Sequence, residues 1–466
     1  MPSRAELAAN LKRGPELKIE EAGVDSAKIR ELDARYLASV LKVRFFPLII
    51  ERAEGCRITD ADGVTRLDFT AGWAVANLGY NNARVREAVA GQFARTSFGT
   101  LTAMMSEQSV QLAERLTTLF PGEFDKKVWF GLHGSDANDC LAKLVPLATG
   151  RRRMISFIGG YHGQTAGAAA LSGHTAQAKA GAGGNVIKIP YPDPYRPVLG
   201  YDRDPGDAVL DYLENYILRT ICPPEDTAGI IVEPVQSDGG DIVPPPRFLK
   251  GIETICRKHG IMLLIDEVKI GFGRSGHMFA FEHFGVVPDA VSLGKSMGGG
   301  MPISAVVGRR ELLDVAPAIN MYTMAANPVA CAAALANLDE IDRLGLVAQA
   351  GRTGGYLLDQ LRSLQQRHTL IGDVRGLGMM LGLEIVRDRE TKEPADREMA
   401  KIVMRAFELG LVVFYGGIYS NVMEITPPLI ITSAEVDEGV AILDQAIGEV
   451  EAGEVSDEAL GEYVGW

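Results

Sequence analysis

The sequence predicts an α/β fold with one large, mainly parallel sheet and a smaller α+β region toward the C-terminus. Three observations lead there. From Val128 to Pro302, short apolar runs alternate with helical patterns, as strands and crossover helices do in a parallel sheet. The runs AGIIV and IMLLI are continuous rather than alternating, which suits strands buried on both faces. After Asn327-Pro328 the pattern changes to a long Ala-rich helix, a strand pair, a helix and one more strand.

Taken in order, residues 1 to about 40 read as a charged helical arm lying on a partner subunit. Pro47 to Phe69 reads as a hairpin around the turn Asp60-Ala61-Asp62-Gly63. TAGWAVANLGY, Thr70 to Tyr80, reads as a loop of Gly and small residues. One helix begins at Asn82 and another runs from Ser106 to Leu119, stopping at Pro121-Gly122. KVWFGLHG leads into a helix, and RRRMISFIGGYHG, NVIKIPYP, AGIIVEPVQSDGG, IMLLIDEVKIGFG and AVSLGKSMGGG each supply a strand. VACAAALANLDEIDRLG is a helix, GDVRGLGMMLGLEIV a strand pair, AKIVMRAFELG a helix and NVMEITPPLIIT a strand. Glu451 to Trp466 is an acidic terminal helix or tail. The expected division is 1–70 as arm and hairpin belonging to the small domain, 71–327 as the large α/β domain, and 328–466 as the C-terminal α+β domain.

The totals exclude several classes. A chain of 466 residues is long enough for two or three domains. Its net charge of −13 argues against a nucleic-acid binder, which needs a basic face. No run approaches the eighteen apolar residues of a spanning helix, and the polar N-terminus lacks a secretory apolar region. Five cysteines without a CxxC pair suit reduced thiols, so a cytoplasmic protein is expected. Seven histidines without HxxxH or HxH spacing give no reason to expect a metal.

The chain is organised around Ile261 to Pro302. One apolar run there delivers Asp266 and Glu267, and the next delivers Lys295. In open α/β sheets the chemistry sits beyond the carboxyl ends of the strands, so both charges reach the ligand rim. A lysine there, followed by Gly298-Gly299-Gly300, can form a Schiff base with a carbonyl cofactor. An aspartate there can keep a pyridinium nitrogen protonated. Taken singly, each has a plainer reading as a solvated lysine or a helix cap. Gly134-Ser135 lies between a strand and a helix, where free N–H groups and the helix dipole suit a phosphate; the alternative is an N-cap by Ser135 or Asp136. Tyr161 follows a strand and can stack on a flat ring or simply pack, while His162 reads as a hydrogen-bonded structural histidine. Glu233 ends the strand AGIIVEP and lies in the site or faces water.

IDEVKIGFGRSG followed by SLGKSMGGGMP resembles the signature of class III pyridoxal-phosphate aminotransferases, closest to omega-amine transaminases and dialkylglycine decarboxylase. With GSDAN, YHG, EP and the NP stretch the resemblance covers roughly residues 45 to 445. It implies a fold type I PLP-transferase with pyridoxal 5'-phosphate as cofactor and Lys295 and Asp266 as catalytic residues. Gly134 and Ser135 would grip the phosphate, Tyr161 would cover the ring, and His162, Glu233, Val268 and Lys269 would complete the cofactor site. Thr323 would contact the phosphate in a neighbouring subunit, implying a homodimer with shared sites, or a dimer of dimers. The usual Ser-Gly after that threonine is Ala325-Ala326 here.

The departures concern substrate. Two positions where relatives carry carboxylate-binding arginines hold Glu424 and Gln164. Glu424 reverses the charge and is expected to disfavour a carboxylate, unless it turns outward or pairs with a cation such as Lys269. Lys269 stands where the family has Gln, and either donates to the cofactor's phenolic oxygen or reaches for a carboxylate. Trp73 is expected to make the substrate pocket apolar and narrow, with core packing as its alternative, and Phe45 and Phe46 add to the same wall. The expected reaction moves an amino group from an amine or omega-amino donor to a 2-oxo acid such as pyruvate. It proceeds by a ping-pong mechanism through a Lys295 Schiff base. A racemase or epimerase, or a dialkylglycine-type decarboxylase, is the alternative on the same fold.

Overall fold

The computed structural model describes residues 25–175, 185–461 and 463, so residues 1–24 of the expected arm lie outside the described residues. The rest of the arm forms the helix Ser26–Tyr36, capped by the Asp25 carboxylate on Lys28 N. The expected hairpin is an antiparallel meander of three strands, β1 (Ile50–Glu54), β2 (Arg57–Asp60) and β3 (Thr65–Asp68). The turn at Asp60–Gly63 does join two of them. A second, tighter turn at Gly55-Cys56, with Gly55 at φ 56°, splits the preceding segment.

The large sheet has seven strands: β4 (Lys126–Gly131), β5 (Arg153–Phe157), β6 (Val186–Ile189), β7 (Thr227–Val232), β8 (Met262–Asp266), β9 (Ala290–Leu293) and β10 (Ser304–Arg309). Their order is β4-β10-β9-β8-β7-β5-β6. Pairing is parallel from β9 across to β6, and β10 runs antiparallel to both β9 and β4. Every residue of β7 and β9 is buried, as expected for parallel strands covered on both faces. Asp266 pairs with Ser292 across β8 and β9. The ends of these two neighbouring strands therefore open on the same rim.

Beyond the large sheet lie β11 (Ile371–Leu377), β12 (Met380–Asp388), β13 (Glu393–Pro394), β14 (Leu411–Val412), β15 (Phe414–Gly416) and β16 (Val422–Ile425). Four of them form the order β11-β12-β16-β15, with β13 on β12, whereas β14 pairs in parallel with β3 of the N-terminal meander. The Ala-rich helix Pro328–Arg343 starts at an Asn327 cap. A 22-residue helix, Leu346–Arg367, follows it and was not among the expected elements. Arg274, in the GFGRSG turn, is wholly buried and holds three chain segments together. It donates to Met379 O at 2.9 Å, to Pro427 O at 3.0 Å and to Asn77 Oδ1 at 2.5 Å. Burial pushes its guanidinium down to about 9.

The expected loop after Phe69 contains one left-handed helical turn. Ala71, Gly72, Trp73 and Ala74 have φ of 45°, 58°, 64° and 59°. Such a turn costs about 1–2 kcal/mol per non-glycine residue. It is held by Thr70, whose hydroxyl accepts from Gly72 N and whose own N–H and O–H donate to the buried Asp68. The turn sets the Trp73 ring 4.6 Å from that of Phe414.

Candidate active site

A cavity of about 390 Å³ opens at the carboxyl ends of β7, β8 and β9, lined by Tyr161, Glu233, Asp266, Lys269 and Lys295 among others. Lys295 starts a 3-10 turn directly after Gly294, with φ 41°. A side chain on Gly294 would come within 3.3 Å of Gly134 N, so this glycine lets the lysine turn close against the helix Gly134–Thr149.

Asp266 is held from three sides. Its Oδ2 accepts from Asn138 Nδ2 at 2.7 Å and lies 2.7 Å from His162 Nδ1, while Oδ1 accepts from Val268 N at 2.9 Å. Asn138 also donates to His162 O at 2.8 Å, fixing the two partners relative to each other. Burial disfavours the charged His162 ring, but the hydrogen bond and charge of Asp266, with Glu233 nearby, outweigh it and raise its pKa. His162 is thus a hydrogen-bonded histidine whose partner is the aspartate at the centre of the site.

Glu233 is buried, and its partners are Tyr161 N (3.0 Å), Ser237 N (2.9 Å) and Ser237 Oγ (2.9 Å) rather than an arginine or water. Burial, opposed by His162 and reinforced by the Asp266 charge, lifts it to about 7. It ties the Tyr161 backbone to the end of β7.

Gly134 and Ser135 open their 16-residue helix at the cavity wall. Ser135 Oγ accepts from Gln164 N at 3.1 Å. A Cβ on Gly134 would lie 2.5 Å from Val268 Cγ1, and one on Gly163 would lie 2.7 Å from Ser135 Cα. The helix start, the Val268 turn and the Tyr161-His162-Gly163 loop therefore close on one another at two glycines where a side chain would clash. Helix N–H groups at such a start suit an anion. An acid held by three partners, an amine, a phenol ring and a helix N-terminus around one cavity fit a phosphorylated pyridine aldehyde.

Burial depresses the Lys295 amine, and the Lys269 charge depresses it further, against Asp238, Glu424 and Asp266. A buried lysine beside a second cation keeps more of its amine uncharged and able to take a proton.

Other expected site residues fall elsewhere. Glu424 does not stand as a bare negative charge: its Oε1 is 2.7 Å from Lys269 Nζ, both side chains being buried. The charge reversal is thus compensated, and repulsion of a substrate carboxylate does not follow from it. Phe46 stacks on Phe407 with ring centres 4.5 Å apart and does not line the cavity. Trp73 lies outside the lining but over Lys269 Nζ, 5.6 Å from its ring centre. Gln164 is exposed at the Tyr161 loop. Thr323 is exposed and outside its own chain's cavity; its carbonyl accepts from Thr100 Oγ1. Asn138, Ser237, Asp238 and Asp241 went unassigned in sequence. Asn138 could have been found, since it lies one helical turn beyond Gly134 on the same face.

Glu267 follows Asp266 but points into the protein. Its Oε1 accepts from Phe281 N at 2.9 Å, its Oε2 has no partner among the described residues, and burial pushes it to about 8 from an ordinary 4.5. Its carboxyl is neutral when folded at pH 7, whereas the unfolded chain ionises above 4.5. Its contribution to stability is therefore complete below pH 4.5 and lost as pH rises toward 8. Glu267→Gln is expected to gain thermal stability over the parent between pH 5 and 8, with the gap widening as pH rises; melting temperatures across that range test this.

The sequence profile of the family described as class-III aminotransferase matches residues 39–447. The leucine/methionine racemase of Thermococcus litoralis is 39% identical over 443 residues, 94% of this chain and 99% of its own. The 4-aminobutyrate aminotransferase of Escherichia coli is 38% identical over 407 residues, 86% of this chain and 94% of its own. Among solved structures, an amine transaminase from an uncultivated Pseudomonas species, in its PLP-bound form, superposes with a TM-score of 0.82 at 32% identity, covering 86% of this chain and 95% of that one.

Proposed function

The chain belongs to the class III aminotransferase family, and on that premise we propose that it moves an amino group from an amine or omega-amino donor to a 2-oxo acid, with pyridoxal 5'-phosphate as cofactor. The observation that carries the reading is the meeting of Asp266 and Lys295, from adjacent parallel strands, at one cavity.

When bound, the cofactor supplies an aldehyde carbon to which amine nitrogen bonds and a ring that accepts the electron pair left by a broken C–H bond. The chain's residues do the rest. Gly134 and Ser135 hold the phosphate through helix N–H groups. Tyr161, fixed through its backbone by Glu233, covers the ring. Asp266, oriented by His162 and Asn138, holds the ring-nitrogen proton. Lys295 Nζ, whose affinity for a proton is lowered by burial and by the Lys269 charge, would take the proton from the substrate carbon and deliver it to the carbon that was the cofactor's aldehyde, which is general acid–base work by a positioned amine.

A second copy of the chain completes the site, as a homodimer or a dimer of dimers. Thr323 lies outside its own chain's cavity and between exposed apolar side chains, Met321 at 55% and Met324 at 46%. Five buried, free thiols fit the cytoplasm.

The test is a half-reaction. Purified, cofactor-loaded protein is mixed with benzylamine alone, and pyruvate is added afterwards. The amine is expected to bleach the bound cofactor's visible absorbance and pyruvate to restore it with formation of alanine. An enzyme that leaves the band unchanged with amines and omega-amino acids alike is not this aminotransferase. A second reading, amino-acid racemisation, is favoured by the racemase relative, which aligns over more of the chain than the aminotransferase does. It requires one enantiomer of leucine or alanine to convert to the other with no 2-oxo acid consumed.

A further inference from the structure

A 2-oxo acid brings a carboxylate into a buried cavity, and a buried carboxylate needs a cation. Among the described residues lining this cavity, the lysine and arginine side chains are Lys269 and Lys295. Lys295 is occupied with the chemistry, which leaves Lys269.

Lys269 is only 5% exposed and bonded to Glu424 Oε1 at 2.7 Å; Asp238 Oδ1 is 3.9 Å away, beyond a direct hydrogen bond. An ammonium has three donors, and the Glu424 bond uses one. Three carboxyl groups, those of Asp238, Glu424 and Asp241, nonetheless act on this one ammonium. Asp241 is wholly buried with neither carboxyl oxygen bonded. A Cβ on Gly382 would lie 3.0 Å from Asp241 Cβ, and Gly382 is paired with Glu424 across β12 and β16. Asp241 thus sits beside Glu424. Burial first, and the Glu424 charge second, push Asp241 well up, and burial raises Glu424 as well despite Lys269. A further carboxylate is therefore expected to enter together with a proton.

We propose that Lys269 is the carboxylate anchor for 2-oxo and 2-amino acids and that Glu424 is its exchangeable counter-ion. An arriving carboxylate takes Glu424's place on Lys269, and Glu424 takes up one proton from solvent. A donor without a carboxylate leaves the pair closed, so one site serves both substrates. The groups whose charge bears on the exchange are Glu424, Asp238, Asp241, Arg375, His174 and Lys295. The proposal rests on the aminotransferase reading and names the substrate group its site recognises.

The probe is propionate, a carboxylate that cannot react, titrated calorimetrically into the cofactor-loaded enzyme in buffers of different ionisation enthalpy. One proton is expected to be taken up per propionate, with affinity falling toward tenfold per unit as pH rises from 7 to 9. Lys269→Met should weaken propionate by about 100-fold and raise the pyruvate KM at least tenfold more than the benzylamine KM. Glu424→Gln should abolish the proton uptake and tighten propionate by about tenfold. Because Lys269→Met strands Glu424, the double variant Lys269→Met/Glu424→Met supplies an apolar pair that tolerates burial; it too should lose propionate binding. Propionate binding without proton uptake, or binding unimpaired in the double variant, overturns the proposal. So does an equal loss toward amine and pyruvate, which assigns Lys269 to the cofactor. A failed aminotransferase reading shows separately, as wild-type protein whose absorbance no amine alters while propionate still binds.

Discussion

Lys295→Ala is expected to lose turnover by about 10⁴-fold or more, together with the visible absorbance of the bound cofactor. The reason lies in what surrounds the position. The other lysine in the cavity, Lys269, is bonded to Glu424, and the Asp238 and Glu424 charges override its burial to hold it protonated. It has no free electron pair to offer and cannot stand in. Lys295, by contrast, is depressed by burial and by that same Lys269 charge, so its removal takes away the one amine able to accept a proton. Added methylamine should restore a measurable part of the rate with a saturable dependence, because the cavity keeps room where the side chain was. A merely misfolded variant would not respond, and an uncomplemented variant within tenfold of wild type would remove Lys295 from the mechanism.

Much of this arrangement was readable in the chain because it is local. Apolar runs buried on both faces end in Asp266 and near Lys295, and the glycines after Lys295 mark a turn, so acid and amine fall on one rim. What escaped depends on distant contacts or on backbone alone. The Glu424–Lys269 pair could be read only as an alternative, because it joins residues 155 positions apart and nothing in NVMEITPP says which way the glutamate faces. Phe46 finds its partner at Phe407, which turns an expected pocket wall into core. The helix Leu346–Arg367 carries Gly354-Gly355, which argues against a helix by propensity, but Gly354 packs directly on the backbone of Gly378 where a side chain cannot fit. The left-handed turn at Ala71–Ala74 contains one glycine in four residues, and the bonds from Thr70 and Asp68 that hold it become visible only once the chain is folded.

Asp266→Asn is expected to slow the amine half-reaction by about 10³-fold while leaving the protein folded and the cofactor bound. The substitution keeps the shape and removes the charge. In the parent, one carboxylate oxygen meets both His162 Nδ1 and Asn138 Nδ2, and the other meets Val268 N. An asparagine can present one accepting oxygen to this set of donors, not two, so its amide N–H must oppose a donor or turn away. His162, raised by Asp266, also loses the partner that favours its protonated form. A ring nitrogen facing this group would no longer be held protonated, and electron withdrawal at the reacting carbon would fail. Two comparisons separate this account from general damage. A cofactor analogue methylated at the ring nitrogen carries its charge permanently and should recover part of the rate in Asp266→Asn but add nothing to the parent. His162→Gln, which leaves Asp266 charged with Asn138 and Val268 still in place, should cost about tenfold and shift the acid limb of the pH profile. If Asp266→Asn reacts within tenfold of the parent, or if the methylated cofactor rescues neither protein, the aspartate is serving the fold, and the proton that matters is held elsewhere.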